Sequence, residues 1–136
     1  MSSNKIKISL DSSIFRDIDF VEWLQLNSER FHISISVIVY LETYHWYNLR
    51  GIDKNLFEEE MSALNGKIND LYSSEVENIS NNAIKSNLLF KHHARDLIIA
   101  THAIKQDSVV ITLNKRHFDW MDAKPMSPDE LILSVK

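Results

Sequence analysis

The chain has 136 residues, 44% of them hydrophobic, enough for one core and too few for two of ordinary size, so a single domain over 1–136 with a flexible start at Met1–Asn4 is expected. It has no cysteine, which excludes disulfides, thiolate zinc sites and cysteine nucleophiles, and its glycines, Gly51 and Gly66, are too sparse for a phosphate-cradling loop. A formal charge of −4 argues against binding nucleic acid through the overall field, and the lack of an apolar leader or of any apolar run near ~18 residues points to a cytoplasmic protein without membrane contact.

Lys5–Leu10 alternates Ile6, Ile8 and Leu10 with Lys7 and Ser9, a short strand pattern that stops at Asp11, Ser12 and Ser13. Ile14, Ile18, Val21 and Leu24 then recur at helical spacing until Asn27 and Ser28. His32–Ser36 reads as a second strand, and Ser36 is placed to cap a helix running through Val37–Leu49 to Gly51. That helix is apolar on most sides, which predicts that it is largely buried.

From Asp53 to Tyr72, the residues Phe57, Met61, Leu64, Ile68 and Leu71 recur at steps of three and four, the spacing of one long amphipathic helix. An edge strand is expected at Glu75–Glu77. Ser80–Asn87 reads as a helix, and His92–Gln106 as another with Asp96 near its first turn. The β-branched run Ser108–Thr112 is a buried strand leading to Asn114. Lys124–Met126 adds a strand, and Ser127, Pro128, Asp129 and Glu130 combine a cap, a proline at the first helical position and acids in the first turn. Strands alternating with helices predict an α/β fold with a mostly parallel sheet flanked by helices.

Ligands of open α/β sheets bind beyond the carboxyl ends of the strands, which is where Asp11 and Asn114 fall. Glu42 lies mid-helix among Val37, Ile38, Leu41 and Trp46, and Asp96 lies one turn before Ala100 on the apolar face of its helix. Buried carboxylates are costly, so such groups pair, protonate or hold a cation. An acid after a strand is commonly a cap, and an acid near a helix start can serve the macrodipole, but neither reading accounts for Glu42. His92 and His93 beside Asp96 invite a zinc site, yet neighbouring helical residues point in different directions, which disfavours it. Tyr40, Tyr44, Trp46 and Tyr47 read as core or subunit interface.

These segments resemble the PIN-domain family, most closely its VapC-type toxins. The matching pieces are ISLDSS at Ile8–Ser13, ISVIVYLE at Ile35–Glu42, DLIIATHA at Asp96–Ala103 and TLNKRHF at Thr112–Phe118, in the family's order and across nearly the whole chain. The resemblance implies a metal-dependent ribonuclease in which Asp11, Glu42 and Asp96 stand at three acidic positions. Asn114 takes a fourth that is often Asp, and His117 replaces an acid that often precedes the aromatic, leaving Asp119 as the next acid along. Clustered carboxylates suit a hard ion such as Mg²⁺ or Mn²⁺, which activates water and aligns in-line displacement at phosphorus.

On this reading Asp11 and Asp96 contact the metal, Glu42 supports it or acts as a base, and Asn114 holds a metal-bound water. Ser12 or Ser13 bonds the carboxylates or a phosphate, and Lys91, Arg95, Lys115 and Arg116 meet RNA phosphates at the rim. The resemblance also implies a homodimer and a small antitoxin partner. Surplus apolar surface over Tyr40, Tyr44, Trp46, Tyr47, Phe57, Met61 and Leu64 is the expected seat. The alternatives are a PIN-fold subunit that binds RNA or protein without cutting, and a cellular RNA-processing nuclease without an antitoxin. A haloacid-dehalogenase-type phosphatase would need an Asp where Ser13 stands, and a receiver domain would need an acid pair that is missing.

Overall fold

The computed structural model describes residues 5–119 and 122–136. The expected flexible start at Met1–Asn4 lies outside the described residues. Five parallel strands form the sheet: β1 (Ile6–Leu10), β2 (Phe31–Ser36), β3 (Lys67–Asn69), β4 (Val109–Ile111) and β5 (Lys124–Met126), in the order β3-β2-β1-β4-β5. Six helices accompany them among the described residues: α1 (Ile18–Leu26), α2 (Val37–Leu49), α3 (Lys54–Ala63), α4 (Val76–Lys85), α5 (Phe90–Gln106) and α6 (Pro128–Ser134). The α/β reading with a parallel sheet therefore holds.

β1 is the central strand, and Ile8, Ser9 and Leu10 are all buried, as a parallel strand covered on both faces requires. The chain order reverses around β1, since β2 pairs on one side and β4 on the other. Such a switch point opens a crevice at the carboxyl ends of the strands. Asp11 and Thr112 are the first residues past β1 and β4, so both open onto it.

Several elements differ from the sequence reading. The stretch from Ile14 to Leu24 is not one helix: a 3₁₀ turn over Ser12–Arg16 ends at Asp17, whose carboxylate accepts from the Phe20 N–H at 3.1 Å and starts α1 afresh. The break buries Ile14 and Phe15 and leaves Ile18 65% exposed. The long helix from Asp53 to Tyr72 is likewise two elements. α3 stops at Ala63, and Asn65 turns left-handed with φ 52°. Gly66 then passes so close to β2 that a Cβ there would sit 3.1 Å from Ile33 Cγ2, and the chain enters β3. The edge strand is thus at Lys67–Asn69, whereas Ser73–Glu75 is a 3₁₀ turn leading into α4.

α2 is not largely buried. Val39, Thr43 and Tyr47 form its one fully buried stripe, while Leu41 and Leu49 face solvent. Its aromatics serve the core from one side: the rings of Tyr40, Tyr44 and Tyr47 each meet Phe57 of α3 edge-on, with centroids 5.2–5.3 Å apart. Ser36 precedes α2 without capping it, because its hydroxyl bonds His102 Nδ1 at 3.1 Å, and His102 Nε2 faces Glu75. The cap read at Ser127 forms, and Glu130 completes it as a capping box. No described helix is long and apolar enough to cross a membrane.

Candidate active site

Asp11 is fixed by the sheet itself. Its backbone N–H donates to the Ile111 carbonyl at 3.0 Å, continuing the pairing of β1 with β4 one step beyond the strand. The side chain is buried, and its Oδ2 accepts from Ser13 Oγ and Thr112 Oγ1, each at 2.8 Å. These hydroxyls in turn accept from the Leu113 and Asn114 N–H groups at 3.0 and 2.9 Å. Two loops are thereby sewn together, and Oδ1 of Asp11 is left facing the crevice.

Glu42 arrives from α2, and Arg95 with Asp96 from α5. Successive helical residues point about 100° apart, so Asp96 faces inward while the long Arg95 side chain reaches back across the opening. α5 begins at Phe90, so Asp96 lies near the end of its second turn rather than in its first. That is too deep in the helix for the macrodipole to explain the acid.

One guanidinium joins all three acids. Arg95 donates from Nε to Glu42 Oε2 at 2.6 Å, from Nη1 to Asp96 Oδ1 at 2.5 Å, and from Nη2 to Asp11 Oδ1 and, at 2.7 Å, to Ser12 Oγ. Three carboxylates against one guanidinium leave the cluster net negative. His117 Nδ1, 3.7 Å from Asp96 Oδ2, adds a positive charge only when protonated.

The carboxylates respond in opposite ways. Burial pushes Asp11 upward, but the Arg95 charge and the hydrogen bonds from Arg95, Thr112 and Ser13 outweigh it, so Asp11 stays below the usual carboxylate range. For Asp96, burial prevails, assisted by the neighbouring Asp11 and only partly offset by Arg95 and His117, and its pKa is raised. Arg95 is itself desolvated, yet Glu42 and Asp11 hold it firmly in the charged form.

The remaining sequence candidates are placed differently. Ser12 accepts from Arg95, and Ser13 donates to Asp11. Asn114 is exposed, and its tie to the site is the backbone N–H bonded to Thr112. Lys115 pairs with Glu130 at 2.9 Å, and Lys91, Arg116 and Asp119 are exposed. Arg95 is not a solvated rim charge: it lies at the centre of the acids. Sequence reasoning also passed over Thr112, whose hydroxyl orients Asp11, and Arg16, which lines a cleft of about 150 Å³ with Ser12, Phe15, Glu42, Thr43 and Trp46. A threonine closing a strand opposite an acid was the available signal for the first; nothing marked the second.

The donors suit a hard cation, since the atoms around the guanidinium are all oxygens, three from carboxylates and one from Ser12, and Glu42 Oε1 is shut from solvent without a hydrogen-bond partner among the described residues. As arranged, however, no three acids or histidines among the described residues stand ready to hold an ion directly. The guanidinium occupies the space between them.

No family model and no curated protein matches the chain. Solved structures do. The chain is similar to the crystal structure of PAE2754 from Pyrobaculum aerophilum, with TM-score 0.66 and 12% identity over 98% of this chain and 93% of that one. It is also similar to VapBC2 from Rickettsia felis, bound to a DNA fragment from their promoter, with TM-score 0.61 and 20% identity over 90% and 98%. VapBC-1 from nontypeable Haemophilus influenzae gives TM-score 0.58 and 21% identity over 91% and 99%. At these identities the likeness establishes the fold, which is the PIN-domain, VapC-like one.

Proposed function

We propose that this chain is a divalent-metal-dependent endoribonuclease of the VapC toxin kind. The observation that carries the reading is the convergence of Asp11, Glu42 and Asp96 on one cationic group at the switch point of a VapC-like fold. Asp11 and Asp96 would hold Mg²⁺ or Mn²⁺, with Glu42 beside them. When bound, such an ion neutralises phosphate charge and lowers the pKa of its water.

The protein's own part is positioning. Ser13 and Thr112 hold Asp11 in one orientation, so its Oδ1 is presented without rotamer search. Glu42 and Asp96 sit on separate helices and close the opening from two sides. Burial raises the pKa of Asp96, and a cation beside it would favour its ionised form and offset that cost. The exposed Arg16, in the cleft it shares with Glu42, is a cation available to RNA phosphates beside the acids.

The solved neighbours include VapBC assemblies, which supports a small antitoxin as partner. Two apolar clefts of about 460 and 510 Å³ share Leu71 and Ile98 and run between α2, α3, α4 and α5, a path suited to an amphipathic segment. The test of function is incubation of structured RNAs with Mg²⁺, Mn²⁺ or EDTA. Cleavage by the wild type in metal alone, lost in Asp11→Ala, is expected. A folded wild type that cuts nothing in either metal would leave the non-cutting reading, which Asn114 in place of an acid favours.

A further inference from the structure

We propose that Arg95 is a tethered cation occupying the seat of the divalent ion, so that metal enters the site only by exchange with the guanidinium. This rests on the metal-dependent reading above and adds how that site is kept closed.

A guanidinium has five N–H donors, and four hydrogen bonds from Arg95 go to the site: one to each carboxylate and one to Ser12. Each acid gives the guanidinium one oxygen. Asp11 has no second choice, since its Oδ2 is engaged by Ser13 and Thr112. An ion ligated by Asp11 Oδ1 and Asp96 Oδ1 would therefore stand where the guanidinium stands. Two positive groups cannot share that space within a few ångströms without strong repulsion in a partly buried site.

The side chain is also able to leave. Arg95 is 31% exposed whereas Asp11 is 2% exposed, so the arginine can swing toward solvent by changing rotamers while Asp11 keeps its hydroxyl bonds. Asp11 is thus held by the scaffold, whereas the guanidinium is held by the three carboxylates and the Ser12 hydroxyl. Until metal arrives, the guanidinium supplies the charge that lets three carboxylates coexist. Once displaced, it remains tethered one side-chain length from the site, where an RNA phosphate is the anion it can meet.

Two measurements test the exchange, and neither depends on cleavage. Free Mn²⁺, followed by electron paramagnetic resonance, gives the ion's affinity for the wild type, Arg95→Met and Arg95→Lys. Arg95→Met should bind Mn²⁺ about tenfold more tightly or better, because the competing charge is gone, and Arg95→Lys should fall between, since an ammonium lacks the three-way fork. In the wild type, the ¹⁵N-labelled Arg95 Nε–H resonance, bonded to Glu42, should move to a solvent-exposed position as Mg²⁺ is added. That second measurement decides the matter even if Arg95→Met fails to fold. Equal Mn²⁺ affinity in wild type and Arg95→Met, or an Nε–H signal unmoved at saturating Mg²⁺, overturns the exchange while leaving the metal-dependent reading intact. Mn²⁺ binding to none of the three proteins overturns both.

Discussion

Asp11 shows how a buried carboxylate is kept ionised without a metal. Burial alone would raise its pKa, and Arg95 with two hydroxyls reverses the sign. Its folded value lies below 3.8, so the stability it contributes is complete above that pH and is lost as pH falls through the folded value. Asp96 runs the other way. Its folded value is raised, so it favours the fold when protonated, and ionising it weighs against the fold as pH rises through that value. In metal-free buffer, a carboxyl-carbon NMR titration should place Asp11 below 3.8 in the wild type and above it in Arg95→Met, where burial acts with less opposition. An Asp11 titration that ignores the substitution would show that the hydroxyls alone set its charge.

The acids themselves were legible in the sequence, because carboxylates stand out at a strand end or in an apolar helix. Arg95 at their centre was not. Position on a helix fixes where a side chain begins, but the direction of a four-bond arginine depends on what the neighbouring elements bring within reach, here Glu42 from fifty-three residues away. Thr112 shows the same limit at shorter range: its hydroxyl acquires meaning only when β4 is laid beside β1.

Among the elements, those with strong local signals formed where the sequence placed them. β1 ends at Leu10, just before Asp11, and α6 is capped by Ser127, whose hydroxyl accepts from the Glu130 N–H at 3.1 Å while the Glu130 carboxylate accepts from the Ser127 N–H at 2.9 Å. Ser127→Ala should lower stability to urea by about 1 kcal/mol, the usual cost of a lost cap. No change in the unfolding midpoint would mean that the cap contributes nothing to α6.

The merged helix from Asp53 to Tyr72 failed for an instructive reason. Leu64, Ile68 and Leu71 keep a helical spacing, but Leu64 closes α3 while Ile68 belongs to the three-residue strand β3, which is too short to show alternation. What breaks the helix is the left-handed turn at Asn65 and the close approach of Gly66 to Ile33, and only the latter's partner in β2 makes it a strand. The split at Asp17 has a similar origin, since an acid that caps one helix can also end the turn before it.

For the whole molecule, the order β3-β2-β1-β4-β5 gathers the site from residues 11, 42, 95 and 96 at one end of the sheet. The same arrangement leaves apolar surface on the α2, α4 and α5 side, where Leu41, Val76, Ile84 and Phe90 are exposed. Exposed patches of more than a few hundred Å² commonly mark association. Sedimentation equilibrium should show a homodimer that Ile84→Glu shifts toward monomer. A strict monomer at high concentration rejects the dimer and leaves the clefts to a different partner.

If the acids gathered around Arg95 hydrolyse RNA with a divalent ion, as proposed, the chemistry of the cut ends records it. Wild type in Mn²⁺ should leave 5′-phosphate and 3′-hydroxyl ends, the products when water attacks phosphorus and the 3′-oxygen departs, and Asp96→Asn should lose at least about a hundredfold in rate while remaining folded. Products ending in 2′,3′-cyclic phosphate, or cleavage that proceeds equally in EDTA and in Asp96→Asn, would rule out metal-dependent hydrolysis by these acids.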